Sequence, residues 1–192
     1  MNRTLCTLSI LNNKVHFILG RYLNGRLYIK ESFEVRDEVS DSGVVASRSD
    51  KIKSLLSDQS SKGVAVYVDE AVPKFSENYD HSPLIFSENS VINDALRSYF
   101  DLESSQSIVW GEGARVINAT SIAQSTIDDK GKASFSINAP ELSASVCAML
   151  LMCYHATNCD LTDISYLKKL RVLREQSRSQ SATFRSRRRR KW

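Results

Sequence analysis

Apolar and polar positions alternate from Thr4 to Leu11, with Leu5, Thr7, Ser9 and Leu11 on one side and Cys6, Leu8 and Ile10 on the other. A period of two predicts a strand. Asn12-Asn13-Lys14 follows as turn chemistry, because Asn tolerates positive φ. Val15 to Tyr22 predicts a second strand, Asn24-Gly25 a tight hairpin, and Arg26 to Val35 a third strand. The first 35 residues therefore predict an antiparallel meander. Asp37 to Ser47 is polar and predicts a loop; Ser49 is placed to cap a short helix over Asp50 to Ser57, and Ser60-Ser61-Lys62-Gly63 ends it. Val64-Ala65-Val66-Tyr67-Val68 is a continuous apolar run between turn residues, the pattern of a strand buried on both faces.

Ala71 to Asn89 holds Pro73 and Pro83 and predicts an excursion with a short strand at Pro83 to Phe86. Asn89 or Ser90 caps a helix through Phe100, striped by Ile92, Leu96, Tyr99 and Phe100. Short strands are expected at Ser107 to Trp110 and Arg115 to Ala119, and a hairpin from Ser121 to Ile127 and Lys132 to Ile137. Asn138-Ala139-Pro140-Glu141 carries the cap, proline and acid of a helix start. The helix predicted there, Pro140 to Ala156, is apolar nearly all round, as a central helix is. A last helix, capped by Asp160 or Thr162 and running to about Gln176, carries Ile164, Leu167, Leu170 and Leu173 on one face and Lys168, Arg171, Arg174 and Arg178 on another.

These elements predict an α/β (α+β) class: a three-stranded meander within a mixed sheet packed with helices. One domain is expected over residues 1–176, with a disordered arginine-rich tail over residues 177–192. The longest apolar stretch, Ala144 to Tyr154, is too short for a bilayer, which needs about 20 residues. The start of the chain shows no secretory signal pattern, so an intracellular site, cytoplasmic, nuclear or within a virion, is expected. Cys6, Cys147, Cys153 and Cys159 are too sparse for a disulfide scaffold and are expected as thiols.

Charge changes the picture more than composition does. Residues 177–192 hold Arg178, Arg185, Arg187, Arg188, Arg189, Arg190 and Lys191 and no acid, whereas the rest holds 26 − 7 = 19 basic against 22 acidic residues. A basic block on a mildly acidic body suits phosphate, because guanidinium pairs with it bidentately and binding releases counterions. Phe184 and Trp192 are available to stack on unpaired bases. The same block also serves as an import address or a hook for an acidic partner. The leading expectation is a non-enzymatic nucleic-acid-binding protein, RNA or DNA, without a cofactor. It has the layout of viral nucleoproteins, packaging proteins and accessory proteins. Its contacts would come from Lys168, Arg171, Arg174, Arg178, Arg185, Arg187, Arg188, Arg189, Arg190, Lys191 and Trp192. A self-associating scaffold whose tail recruits a partner is a further reading.

Three antiparallel strands, a helix and then a buried strand, over residues 4–70, resemble in order the ribonuclease H-like nucleases and resolvases. The resemblance implies carboxylates gathered around two Mg²⁺ ions, one acid on the first strand and another at the end of the fourth. Asp69 and Glu70 stand at the fourth-strand position; the first strand carries no acid and ends in Asn12 and Asn13. Otherwise Asp69-Glu70 simply ends a strand in solvent. Cys153, His155 and Cys159 lie close in sequence, but Cys153 and His155 point differently on a helix, and no second ligand pair stands at zinc spacing. His16 falls in a strand and His81 in a loop; Trp110-Gly111-Glu112-Gly113 reads as a turn rather than a phosphate loop.

Overall fold

The computed structural model describes residues 2–39, 45–69, 72, 80–81, 89–127, 129, 131, 133–137 and 142–158. The meander forms as the alternation predicts: β1 (Asn2–Leu11), β2 (Lys14–Leu23) and β3 (Arg26–Glu34) pair antiparallel in sequence. Both hairpin turns use left-handed residues, Asn12 and Asn13 at φ 50° and 60° and Asn24 and Gly25 at φ 52° and 79°. Two consecutive positive φ angles give a turn whose twist matches that of the strands.

Beyond β3 the expected loop contains a two-residue pair, β4 (Glu38–Val39) with β5 (Val45–Ala46). Helix α1 then runs Arg48–Ser61, longer at both ends than expected. Its cap is Ser47 rather than Ser49: the Asp50 N–H donates to the Ser47 hydroxyl, which in turn donates to the Asp50 carboxylate. Ser60 and Ser61 stay helical, and the chain leaves the helix at Lys62 and Gly63, where φ is +70°. Strand β6 (Ala65–Val68) pairs parallel with β1, and β7 (Asp80–His81) pairs parallel with β6, so His81 lies in a strand and not in a loop.

Helix α2 (Asn89–Ser104) leads to β8 (Ile108–Trp110), which adds parallel to β3. Gly111 continues that approach: its N–H donates to the Ile29 carbonyl at 2.8 Å, and a Cβ would sit 3.0 Å from that oxygen. The strand expected over Arg115 to Ala119 does not form. The chain turns back at Gly111, with the Ala114 N–H bonded to the Gly111 carbonyl, and keeps one bridge, Ala114 to Ser32. Ala119 is tied instead by its N–H to the Tyr99 hydroxyl at 3.1 Å. A 3-10 turn over Thr120–Ile122 feeds the hairpin of β9 (Ala123–Ile127) and β10 (Ala133–Ile137). The hairpin rests on α2 through the Phe100–Phe135 stack and the bond from the Phe135 N–H to Asn93.

Helix α3 (Ala144–Thr157) begins later than the proline-based start predicts, with the Cys147 N–H donating to the Ser143 carbonyl. The expected strand at residues 83–86, the expected last helix to residue 176 and the expected tail at 177–192 lie outside the described residues. No described helix is long and apolar enough to cross a membrane.

The main sheet has the order β7-β6-β1-β2-β3-β8. A central β1 is flanked by antiparallel β2 and parallel β6, with β3 beyond the one and β7 beyond the other. This is the ribonuclease H-like arrangement, extended by β8. Its two faces are unlike. Cys6, Leu8, Val15, Phe17, Val66 and Val68 bury one face against Ile52 and Leu56 of α1. The opposite face carries Thr7, Ser9, His16 and Tyr67, all buried. Helix α3 covers it: the Thr7 hydroxyl donates to the Ala148 carbonyl at 2.8 Å, and the Tyr67 ring stacks on His155 at 3.7 Å.

Candidate active site

The parallel pairing of β1 with β6 joins Leu5 to Ala65 and ends at Leu8 and Val68, and the next step is the bond from the Asp69 N–H to the Leu8 carbonyl. Asp69 therefore leaves the sheet beside Ser9, and by the two-residue period its side chain shares the face of Tyr67. It is only 2% exposed. A carboxylate taken out of water needs donors. Asp69 receives them from β1: the Ser9 hydroxyl donates to Oδ2, and the Ile10 N–H donates to the same oxygen at 3.1 Å. The reading of Asp69 as a strand terminator in solvent is thereby corrected.

The polar row continues across the sheet. Ser9 is the register partner of His16 on β2, and the His16 Nε2 lies 3.0 Å from the Ser32 hydroxyl on β3. Ser9, His16 and Ser32 are all buried. Burial pushes the His16 pKa down to about 4; the Arg115 charge adds to the fall and Glu34 opposes it. His16 is thus a neutral imidazole at physiological pH, able to accept a proton.

Helix α3 closes the row from above. Cys147 is buried and bonded to Ser9, and burial pushes its thiol up to about 12, with the Asp69 charge contributing. A neutral thiol is neither a good nucleophile nor a metal ligand. Cys153 and His155 lie further along α3; burial raises the one and lowers the other to about 3, with the Arg3 charge adding to the fall at His155. Among the described residues no three His, Cys, Asp or Glu side chains gather as a metal cluster.

The donor set at Asp69 decides which ion fits. Mg²⁺ takes oxygen ligands, typically one or two carboxylates with water and substrate phosphate completing the shell. Asp69 beside the Ser9 hydroxyl offers oxygen donors of the kind such a cation takes. A pair of ions would need more than this one carboxylate, and among the described residues β1 sets the Ser9 hydroxyl beside it.

Of the residues proposed from sequence, the structure positions Asp69. Glu70, Lys168, Arg171, Arg174, Arg178, Arg185, Arg187, Arg188, Arg189, Arg190, Lys191 and Trp192 lie outside the described residues. Ser9, Ser32 and Cys147 were not singled out by sequence. The one signal for Ser9 is its place on the β1 face two residues from Thr7, an otherwise unexplained polar run within a buried strand.

No family model and no curated protein matches this chain. Among solved structures it is similar to the large terminase nuclease from thermophilic phage G20c with bound magnesium, at 12% identity and TM-score 0.49, over 81% of each chain. It is also similar to the large terminase nuclease domain of Thermus phage P74-26, at 12% identity and TM-score 0.49, over 80% of each chain. A third is the large terminase nuclease domain of bacteriophage SPP1 with bound manganese, at 9% identity and TM-score 0.44, over 82% of this chain and 86% of that one. The expectation of a non-enzymatic nucleic-acid-binding protein is corrected here: these solved structures are nuclease domains, two of them with a divalent metal bound.

Proposed function

We propose that this chain is a divalent-metal-dependent, ribonuclease H-like nuclease whose phosphodiester site is centred on Asp69. The observation that carries this reading is the position of that carboxylate. It is buried at the C-terminal end of the strand parallel to β1, and held by two donors from β1 itself.

A divalent cation at such a site would polarise the scissile phosphate and make water a better nucleophile. Asp69 would hold it. The Ser9 hydroxyl and the Ile10 N–H fix the carboxylate's orientation, which preorganises the site. His16, one strand away and neutral, lies on that face, and Ser32 fixes its ring through Nε2. The arginines of residues 178–190 with Lys191 would add phosphate affinity that carries little base specificity, and Lys168, Arg171 and Arg174 would extend it. Glu70 is the next carboxylate in sequence after Asp69.

Incubating the full chain with linear double-stranded DNA, single-stranded DNA and RNA tests the proposal. Cleavage of at least one of them is expected with Mg²⁺ or Mn²⁺, none with EDTA, and none with Asp69→Asn. Intact substrates in every metal, or cleavage that survives Asp69→Asn, would remove the reading.

A further inference from the structure

We infer that Arg115 is a phosphate-binding residue for the nucleic-acid substrate, gripping a backbone phosphate about 19 Å from Asp69, four strand spacings across the sheet. That role rests on the nuclease reading above for the strand it holds, and it belongs to a residue which that reading does not use.

The sheet sets the place. Strands β1, β3 and β6 run in one direction, because β2 is antiparallel to both β1 and β3 and β6 is parallel to β1. Asp69, just after β6, and Arg115, beside the last residues of β3, therefore emerge at the same end of the sheet. The turn at Gly111 delivers Arg115: Ala114 bridges Ser32, and the Arg115 N–H donates to the Ser32 carbonyl at 3.3 Å. Ser9, His16 and Ser32, one from each intervening strand, lie between. The polar row thus has an acid at one end and a cation at the other.

That cation is presented to solvent. Arg115 is exposed, and its charge reaches His16, where it adds to the burial that keeps the ring neutral. Glu34, the register partner of His16, is answered by Arg36 at 2.9 Å. Among the described residues no acid forms an ion pair with Arg115. Guanidinium offers a planar fork of donors that matches phosphate. A duplex repeats that anion about every 3.4 Å along each strand, so one lying along the row over Asp69 brings a phosphate to Arg115 about five to six nucleotides away.

Salt titration of the full chain against a fluorescent DNA duplex longer than that span, read by anisotropy in EDTA so that nothing is cut, tests the inference. Arg115→Ala is expected to weaken binding about five- to tenfold and to flatten log K against log[salt] by about one. Arg115→Lys should keep the slope, because it keeps the charge. Arg26→Ala removes the same charge from the exposed opposite end of β3 and should change neither quantity. Unchanged affinity and slope in Arg115→Ala, or an equal loss in Arg26→Ala, would overturn the inference; cutting with Mg²⁺ or Mn²⁺ that Asp69→Asn abolishes would then leave the nuclease reading standing. The expected losses in Arg115→Ala, with no substrate cut in any metal, would instead remove the nuclease reading and leave Arg115 as a phosphate contact.

Discussion

At the scale of single residues, the site is a row of buried polar groups, and burial has consequences for pH. His16 and His155 titrate in the fold near 4 and 3 against an ordinary value of 6.5, chiefly because burial disfavours the imidazolium. Both shifts are downward, so the fold favours the neutral rings. Their contribution to stability is complete above about pH 6.5 and is lost as pH falls from there toward 4, at up to about 1.4 kcal/mol per pH unit for each ring. The urea midpoint is expected to drop between pH 7 and pH 5, and His16→Asn should fall less steeply. A midpoint that is flat over that range would mean that the rings are hydrated. Asp69 was legible from sequence because it follows an apolar run; its burial was not, since Asp-Glu after a strand reads equally well as a solvent boundary. Ser9 was invisible for a related reason. In Thr7-Leu8-Ser9-Ile10 it looks like the wet side of a half-buried strand, and only the covering helix α3 makes that side dry.

At the scale of elements, the strongest local signals were reliable. The Asn-Asn and Asn-Gly turns fix the meander because few residues accept positive φ. The apolar run at Val64 to Val68 yields the inner strand β6, because a strand covered on both faces tolerates such continuity. Signals failed where tertiary contacts decide. Arg115 to Ala119 alternates like a strand, yet its N–H at Ala119 finds the Tyr99 hydroxyl, and the turn at Gly111 carries the chain off the edge of β3. Helix α3 was recognised by its all-round apolar character, and Val146 to Cys153 are buried. Leu150, at 0% exposure, sits among them. Leu150→Ala is expected to cost about 2–5 kcal/mol in chemical denaturation, the range for a buried large-to-small change. A cost below about 0.5 kcal/mol would show that α3 does not pack as a core helix.

At the scale of the whole molecule, the order of elements, not a motif, is what leads to the nuclease proposal. After the meander, the crossover through α1 returns the chain parallel to the first strand, and β6 pairs beside β1. The contact between Asp69 and Ser9 follows from that topology and from nothing local. The basic residues at 177–192 point by charge alone to a nucleic-acid binder, and charge carries no sign of a buried carboxylate. Their proposed role survives as an auxiliary one. On duplex DNA with the Asp69→Asn chain, removal of residues 177–192 is expected to flatten the slope of log K against log[salt] by about 4–5, if most of the seven cations engage phosphates. An unchanged slope would leave those residues with another task.

The central claim is that Asp69 is a metal-holding carboxylate at the end of the strand beside β1. A crystal of the full chain soaked in Mn²⁺ and measured at the manganese absorption edge addresses it directly. The account predicts an anomalous peak within about 2.0–2.3 Å of an Asp69 carboxylate oxygen, the range for a hard cation on oxygen, and no such peak in Asp69→Asn. Density for an ordered Asp69 side chain with no anomalous peak beside it, or a peak held by other residues, would contradict the account.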